Sequence, residues 1–250
     1  MQTRDRRWFL GSTLGAGTAL ALPARAVPSA PARDEFAGAH KGIAGTLRYL
    51  IWLPAPAERP AAGWPLMIFL HGSGECGREL ARVTWNGPPK YAAAGRPFPF
   101  VLVAPQIDER AVWHSDAIEA LRADLVKRLP IDADRVVLTG LSLGGHGTWN
   151  YAVDHPKRLA AIAPVCGAGN PHRAARLAAL PVWAFHGARD DVVPLAGDQA
   201  MVQAVRAAGG RVKFTVYPEV GHNAWDPAYA DPALYDWLLA QRRRGRPARD

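Results

Sequence analysis

The stretch VVLTGLSLGGHGTW, residues 136–149, decides how this chain is to be read. An apolar, β-branched run leads into Gly140-Leu141-Ser142-Leu143-Gly144 and then into a segment with helical spacing. A serine therefore stands at a strand-to-helix turn between two glycines. This is the setting in which a G-x-S-x-G pentapeptide exposes a nucleophilic hydroxyl. The turn is tight, and a Cβ two residues to either side of the serine would collide with strand or helix. The following helix also points its first N–H groups toward Ser142. A serine hydroxyl is a weak nucleophile without a base. His146, four residues on, is the nearest of eight histidines, so the base has to be sought along the whole chain.

Outward from this turn, apolar strand-like runs alternate with amphipathic segments. The strands are expected at 46–54, 66–71, 100–105, 135–140, 160–166, 182–187 and 212–218. Between them, 115–129 places Ile118, Leu121, Leu125 and Leu129 on one helical face. A second helix is expected at 195–210, stopped by its glycines, and a third at 231–241 with Asp231 as N-cap and Pro232 in the first turn. Short apolar strands separated by helices predict an α/β fold: a mainly parallel sheet with helices on both faces. The strands follow one another too closely for a second domain or a large lid, and no internal repeat is visible.

Composition narrows the function classes. The net charge of +8 is concentrated at the ends. Arg4, Arg6, Arg7 and Arg25 against Asp5 give the first 26 residues +3, and five arginines against Asp250 give the last ten +4, so the body carries +1. A near-neutral body argues against nucleic acid as a partner. Residues 1–26 read as a signal peptide: a basic start, the apolar WFLGSTLGAGTALAL, and Ala24-Arg25-Ala26 as an A-x-A-type cleavage site. Arg6-Arg7-Trp8-Phe9-Leu10 resembles the bacterial twin-arginine export signal, although Asp5 stands where Ser or Thr is usual. The apolar stretch is short and glycine-rich for a membrane span, so no stable membrane anchor is expected after processing, and the location is periplasmic or secreted. Residues 27–40 read as a Pro/Ala linker, 41–241 as the folded domain, and 242–250 as a basic, frayed tail. Cys76 and Cys166 are compatible with an oxidising compartment, but their spacing forms no zinc motif and does not establish a pair.

In a parallel sheet, chemistry collects at the carboxyl ends of the strands. Three further stretches place unusual residues there. Phe69-Leu70-His71-Gly72-Ser73-Gly74-Glu75 is a glycine-rich loop after a strand, suited to an oxyanion hole formed with the Leu143 N–H. Ser73 is the candidate second donor, Gly74 the alternative, and His71 reads as a loop brace. His186-Gly187-Ala188-Arg189-Asp190-Asp191 supplies an acid able to orient a distant imidazole, and composition does not choose between the two aspartates. Val220-Gly221-His222-Asn223 places a histidine between small residues on the loop after the last strand. Serine, acid and histidine, each just after its own strand, occur in the chain order of an α/β-hydrolase triad.

The chain resembles α/β-hydrolases of the carboxylesterase and dienelactone-hydrolase type. The likeness is strongest to small secreted or "predicted peptidase" esterases related to feruloyl esterases and polyhydroxybutyrate depolymerases. It is carried by LHGSGECG, GPPKYAAAG, APQ, GLSLGGHGTW, PVCGAG, WAFHGARDDVVP, GHNAWDPAY and LYDWLL, within residues 66–239. The resemblance implies Ser142 as nucleophile, His222 as base and Asp190 as acid, the third residue after the glycine of H-G-x-x-D-x-V-V-P. It also implies that Trp113, Trp149 and Trp225 lie near a substrate pocket. Cys76 departs from the family pattern, in which an arginine or another polar residue is common. The reading is a serine esterase acting on small-molecule or polymer-attached esters without metal or cofactor. An amidase on the same machinery is the nearest alternative. A non-catalytic binding module is disfavoured by the filled triad, and hydrolysis through Cys166 by its lack of elbow glycines.

Overall fold

The computed structural model describes residues 32–40 and 43–243, and its sheet follows the apolar runs of the sequence. In chain order the elements are β1 (Ala32–His40), β2 (Ile43–Trp52), β3 (Trp64–Leu70), α1 (Gly87–Ala93), β4 (Val101–Gln106), α2 (Ser115–Arg128), β5 (Ile131–Leu141) and α3 (Leu143–Asp154). They continue with β6 (Ala161–Val165), β7 (Val182–Gly187), α4 (Leu195–Ala207), β8 (Val212–Tyr217), α5 (Trp225–Ala230) and α6 (Pro232–Leu239). The strands lie in the order β1-β2-β4-β3-β5-β6-β7-β8. β1 and β2 are antiparallel to their neighbours, and the rest of the sheet is parallel.

Successive side chains of a strand point to opposite faces, and in the central strands both faces are dry. Leu66, Ile68 and Leu70 of β3 enter one core with Ile118, Leu121 and Leu125 of α2, Trp149 of α3 and Met201 and Val205 of α4. Met67 and Phe69 enter the other, with Tyr229 of α5 and Leu234 and Leu238 of α6. Each large side chain buried this fully contributes on the order of 1.5–3 kcal/mol, which is why continuous apolar runs without alternation become central strands. Asp231 caps α6 by accepting from the Ala233 N–H (2.9 Å), with Pro232 in the first turn. Among the described residues, strands are joined by single helices and short 3-10 turns, so the molecule is a single-domain α/β-hydrolase fold. No helix there is long and apolar enough to cross a membrane.

Two boundaries differ from the sequence reading. Residues 32–40, expected as linker, form β1, paired with β2 from His40↔Ile43 to Ala32↔Ile51. An edge strand needs a backbone partner rather than burial on both faces, so it lacks the apolar run that marks the central strands, and charged residues suit an edge. Arg242 and Arg243, expected in the frayed tail, are held. Arg242 Nη1 lies 2.7 Å from Asp132 Oδ2, and Arg243 Nε lies 2.9 Å from Asp134 Oδ1. The two aspartates open β5, and two opposing carboxylates fix what a polar composition alone presents as solvated. Residues 1–26, expected as a signal peptide, the rest of the expected linker and residues 244–250 lie outside the described residues.

Close packing at the β5–α3 turn is testable. A Cβ on Gly144 would lie 1.9 Å from the Leu70 carbonyl oxygen and 2.7 Å from that of His71, both backbone atoms that cannot step aside. Gly144→Ala is therefore expected to cost about 3 kcal/mol or to prevent folding. Gly74→Ala, whose Cβ would meet nothing within 4 Å, should change stability by less than about 0.5 kcal/mol. Urea denaturation of the two variants checks both, and equal stabilities would refute the packing.

Candidate active site

Ser142 occupies the one-residue turn between β5 and α3 with φ 52° and ψ −116°. This left-handed backbone costs about 1–3 kcal/mol for a residue with a side chain and persists only where its surroundings enforce it. They do so here: the Ser142 N–H donates to the Val165 carbonyl (2.9 Å), and its own carbonyl accepts from His146 N–H (3.0 Å). The strained turn lifts the hydroxyl off the end of the sheet.

The Ser142 Oγ lies 2.9 Å from His222 Nε2, and His222 Nδ1 lies 2.8 Å from Asp190 Oδ2. Three residues from three loops thus form one chain of hydrogen bonds. The carboxylate can only accept, so Nδ1 carries the ring proton and the Nε2 lone pair faces the serine hydroxyl. The loops carrying Asp190 and His222 are themselves tied together. The Arg189 N–H donates to the Val220 carbonyl (3.0 Å). Gly187 approaches Gly221 so closely that a Cβ would lie 2.0 Å from the Gly221 carbonyl oxygen.

Of the two adjacent aspartates, Asp190 points inward with its side chain fully buried. Its Oδ1 accepts from the amides of Val192 (2.9 Å) and Val193 (2.8 Å). Burial alone would push this carboxyl up; the hydrogen bonds from His222 and from those amides outweigh it and hold Asp190 below the ordinary carboxylate range. Asp191 is exposed. His146, on α3, sets its Nδ1 3.0 Å from the Ala168 nitrogen and so packs the start of that helix against the loop after β6.

Ser73 and Leu143 each begin a helical turn, the first a 3-10 turn at Ser73–Glu75 and the second α3. N–H groups at such positions have no intrahelical acceptor and are free for an incoming oxygen. The two segments abut: a Cβ on Gly72 would lie 2.6 Å from Leu141 Cδ1. His71 braces this loop. Its Nδ1 is 2.7 Å from the Gly72 carbonyl, and its Nε2 accepts from the Ile107 N–H (3.2 Å). Glu75, nearly fully buried, adds a second brace that composition alone does not reveal. Asn86 donates to its carboxylate at 2.7 Å, while Gln106 holds the Glu75 carbonyl at 2.8 Å. Burial raises the Glu75 carboxyl above the usual range.

The three tryptophans separate. Trp225 stands edge-on to His222, ring centres 5.1 Å apart. Trp149 has no exposed surface, and its Nε1 donates to Asp198 Oδ1 at 2.7 Å. Trp113 is 6% exposed and donates from Nε1 to the His71 carbonyl at 3.1 Å. Of the three tryptophans expected near a pocket, Trp149 and Trp113 are buried in the core. Both sit on core-facing positions, and each satisfies its indole N–H against a buried acceptor. Cys76 and Cys166 are both unpaired and buried. Cys166, at φ 48°, donates its S–H to the His222 carbonyl (3.1 Å) and so supports the His222 loop. Burial, reinforced by the charge of Asp190, pushes its thiol up to about 12. The ligand atoms of Cys166, His186 and Asp190 lie within 4.8 Å of one another, and each is already engaged in a hydrogen bond.

The family model of the dienelactone hydrolase family matches residues 100–231, more than half of the chain. A provisionally named carboxymethylenebutenolidase of Methylorubrum extorquens is 29% identical over 96% of this chain and 92% of its own length. Among solved structures, a thermostable esterase superposes with a TM-score of 0.75 at 26% identity, covering 87% of this chain and 64% of the esterase. A ferulic acid esterase superposes with a TM-score of 0.62 at 18% identity, over 84% of this chain and 97% of that one, a likeness of fold.

The brace at His71 has a measurable sign. Burial lowers its pKa from 6.5 to about 4. The unfolded chain therefore binds a proton that the folded protein refuses, and stability falls as pH falls from about 6.5 to 4. At about 1.4 kcal/mol per unit, the expected loss from this group is about 3 kcal/mol. Denaturation curves across this range should show the slope, and His71→Gln should flatten it. An NMR titration of the ring near 6.5 would contradict the brace.

Proposed function

The chain belongs to the dienelactone hydrolase family, and on that premise we propose that it is a serine esterase working through Ser142, His222 and Asp190. The observation that carries this reading is the hydrogen-bonded line Ser142 Oγ–His222 Nε2–His222 Nδ1–Asp190 Oδ2, with steps of 2.9 and 2.8 Å, set on the strained turn. Such a line supports nucleophilic catalysis by a serine made reactive by its neighbouring base.

In the proposed mechanism Ser142 Oγ attacks the ester carbonyl carbon while its proton passes to His222 Nε2. The imidazolium that forms is stabilised by the buried Asp190 carboxylate, which stays ionised throughout. The carbonyl oxygen takes the developing negative charge and is met by the Ser73 and Leu143 N–H groups, the latter at the positive end of α3. His222 returns the proton to the departing alcohol, leaving an acyl group on Ser142. Water, deprotonated by His222, then releases the acid and restores the serine. Trp225, beside His222, forms an apolar side of the entrance and suits an acyl or alcohol group with a flat face. The relatives bearing esterase and carboxymethylenebutenolidase names are consistent with a soluble or polymer-attached carboxylic ester as substrate. We also propose export by the twin-arginine route with cleavage after Ala26, on the strength of Arg6-Arg7 and Ala24-Arg25-Ala26.

A panel of acetyl, butyryl, octanoyl and feruloyl esters beside a peptide amide tests the reading. Ester turnover should fall by at least about 10³-fold in Ser142→Ala, together with loss of fluorophosphonate labelling. Asp190→Asn should lower kcat by roughly 10³- to 10⁴-fold, whereas Asp191→Asn should stay within about twofold. Persistent turnover in Ser142→Ala would refute the nucleophile, and preference for the amide would replace esterase by amidase. Sequencing the N-terminus of the exported protein should find Val27 first.

A further inference from the structure

Behind the triad acid lies a second acid–imidazole pair that the proposed chemistry does not use. His186, the penultimate residue of β7, and Asp198, in the first turn of α4, have no exposed side-chain surface. His186 Nδ1 is 2.7 Å from Asp198 Oδ2, and His186 Nε2 is 2.9 Å from the Val193 carbonyl and 3.3 Å from Asp190 Oδ2. The Asp190 oxygen that faces His222 thus faces a second imidazole.

The Val193 carbonyl only accepts, so Nε2 carries a hydrogen. Asp198 already receives the Trp149 indole N–H at 2.7 Å and a backbone N–H from Gly167. Burial pushes the Asp198 carboxyl up and these N–H donors oppose the rise; an ionised Asp198 requires a hydrogen on Nδ1. With Asp198 ionised, the ring holds a hydrogen on both nitrogens and is a cation sealed from water between two carboxylates.

We infer that His186, fixed by Asp198, is a positioning residue for the triad acid, holding the Val193 turn from one side while that turn grips Asp190 from the other. This rests on the triad reading given above. Val193 is the shared part: its carbonyl accepts from His186 and its N–H donates to Asp190 Oδ1. The same arrangement places a positive charge behind Asp190, which moderates how strongly the carboxylate holds a proton on His222. The ionisable groups facing His186 are Asp190, Asp198 and Cys166, with His222 across the Asp190 oxygen. The Cys166 thiol stays neutral near pH 7, since burial pushes it up to about 12.

Asp198→Asn tests the role. Without its counter-ion His186 loses its charge, Asp190 acts unopposed on His222, and His222 keeps its proton to higher pH. The acidic limb of kcat/KM should then move up by about 0.5–1 unit. With Asp190 less firmly held, kcat should fall roughly 10- to 100-fold, and KM should change less than about twofold. A folded Asp198→Asn whose acidic limb does not move overturns the proposal, whatever its rate, because a purely structural defect lowers activity without displacing the limb. NMR of the wild-type protein decides the matter if this variant does not fold. Two nitrogen-bound ring protons on His186 at pH 7 support the inference, and one overturns it. Failure of the triad itself appears separately, as activity surviving Ser142→Ala.

Discussion

Everything in the site hangs on how closely two strand ends approach each other. β3 and β5 are hydrogen-bonded neighbours, paired Leu70 with Gly140 at their carboxyl ends. The backbone oxygens of Leu70 and His71 then press against the first turn of α3, where Gly144 leaves no room for a Cβ. That contact forces the chain to reverse within one residue, and Ser142 accepts a left-handed backbone to do so. The Ser142 hydroxyl, the Leu143 amide and the loop carrying the Ser73 amide are thereby located together. A looser turn would relieve Ser142 and separate all three.

Around this constraint the protein builds a layer of buried polar groups that face inward. His71 and Glu75 stiffen the glycine-rich loop, Cys166 supports the carbonyl of His222, and the amides of Val192 and Val193 clamp Asp190. Each is expensive to bury alone and is matched by a partner at hydrogen-bonding distance. Flexible loops are the usual place for functional residues, and here the loops are made stiff by what lies beneath them. Precision of this kind is what a line of two hydrogen bonds needs if its members are to stay in register.

The sequence was most legible where burial is symmetric. Strands such as LMIFL and FVLVAP carry apolar residues on both faces, and their positions follow directly. It was least legible where the partner is distant. β1 is recognisable only through β2, and Arg242 and Arg243 only through Asp132 and Asp134. The turn motif and the order of serine, acid and histidine could be read directly, yet the choice of Asp190 over Asp191 came only from the family resemblance, because in physical terms it depends on which carboxylate meets the turn amides. Trp149 and Trp113 show the converse difficulty. An aromatic beside a motif reads as a pocket wall, but whether its face looks inward or outward is decided by packing against α2, α4 and the His71 loop. His186 and Asp198 are ordinary residues in sequence and gain meaning only when β7 and α4 are laid side by side.

The clamp of Arg242 and Arg243 on Asp132 and Asp134 also bears on how the molecule is completed during synthesis. Those aspartates open the strand that ends at Ser142, and Arg242 follows its partner Asp132 by 110 residues. His222 follows Ser142 by 80. A ribosome working from the N-terminus therefore makes the serine and its strand long before it makes the histidine that hydrogen-bonds the one or the arginines that fasten the other. The nascent protein holds Ser142 without its hydrogen-bond partner, and the contacts that join the far ends of the chain close last.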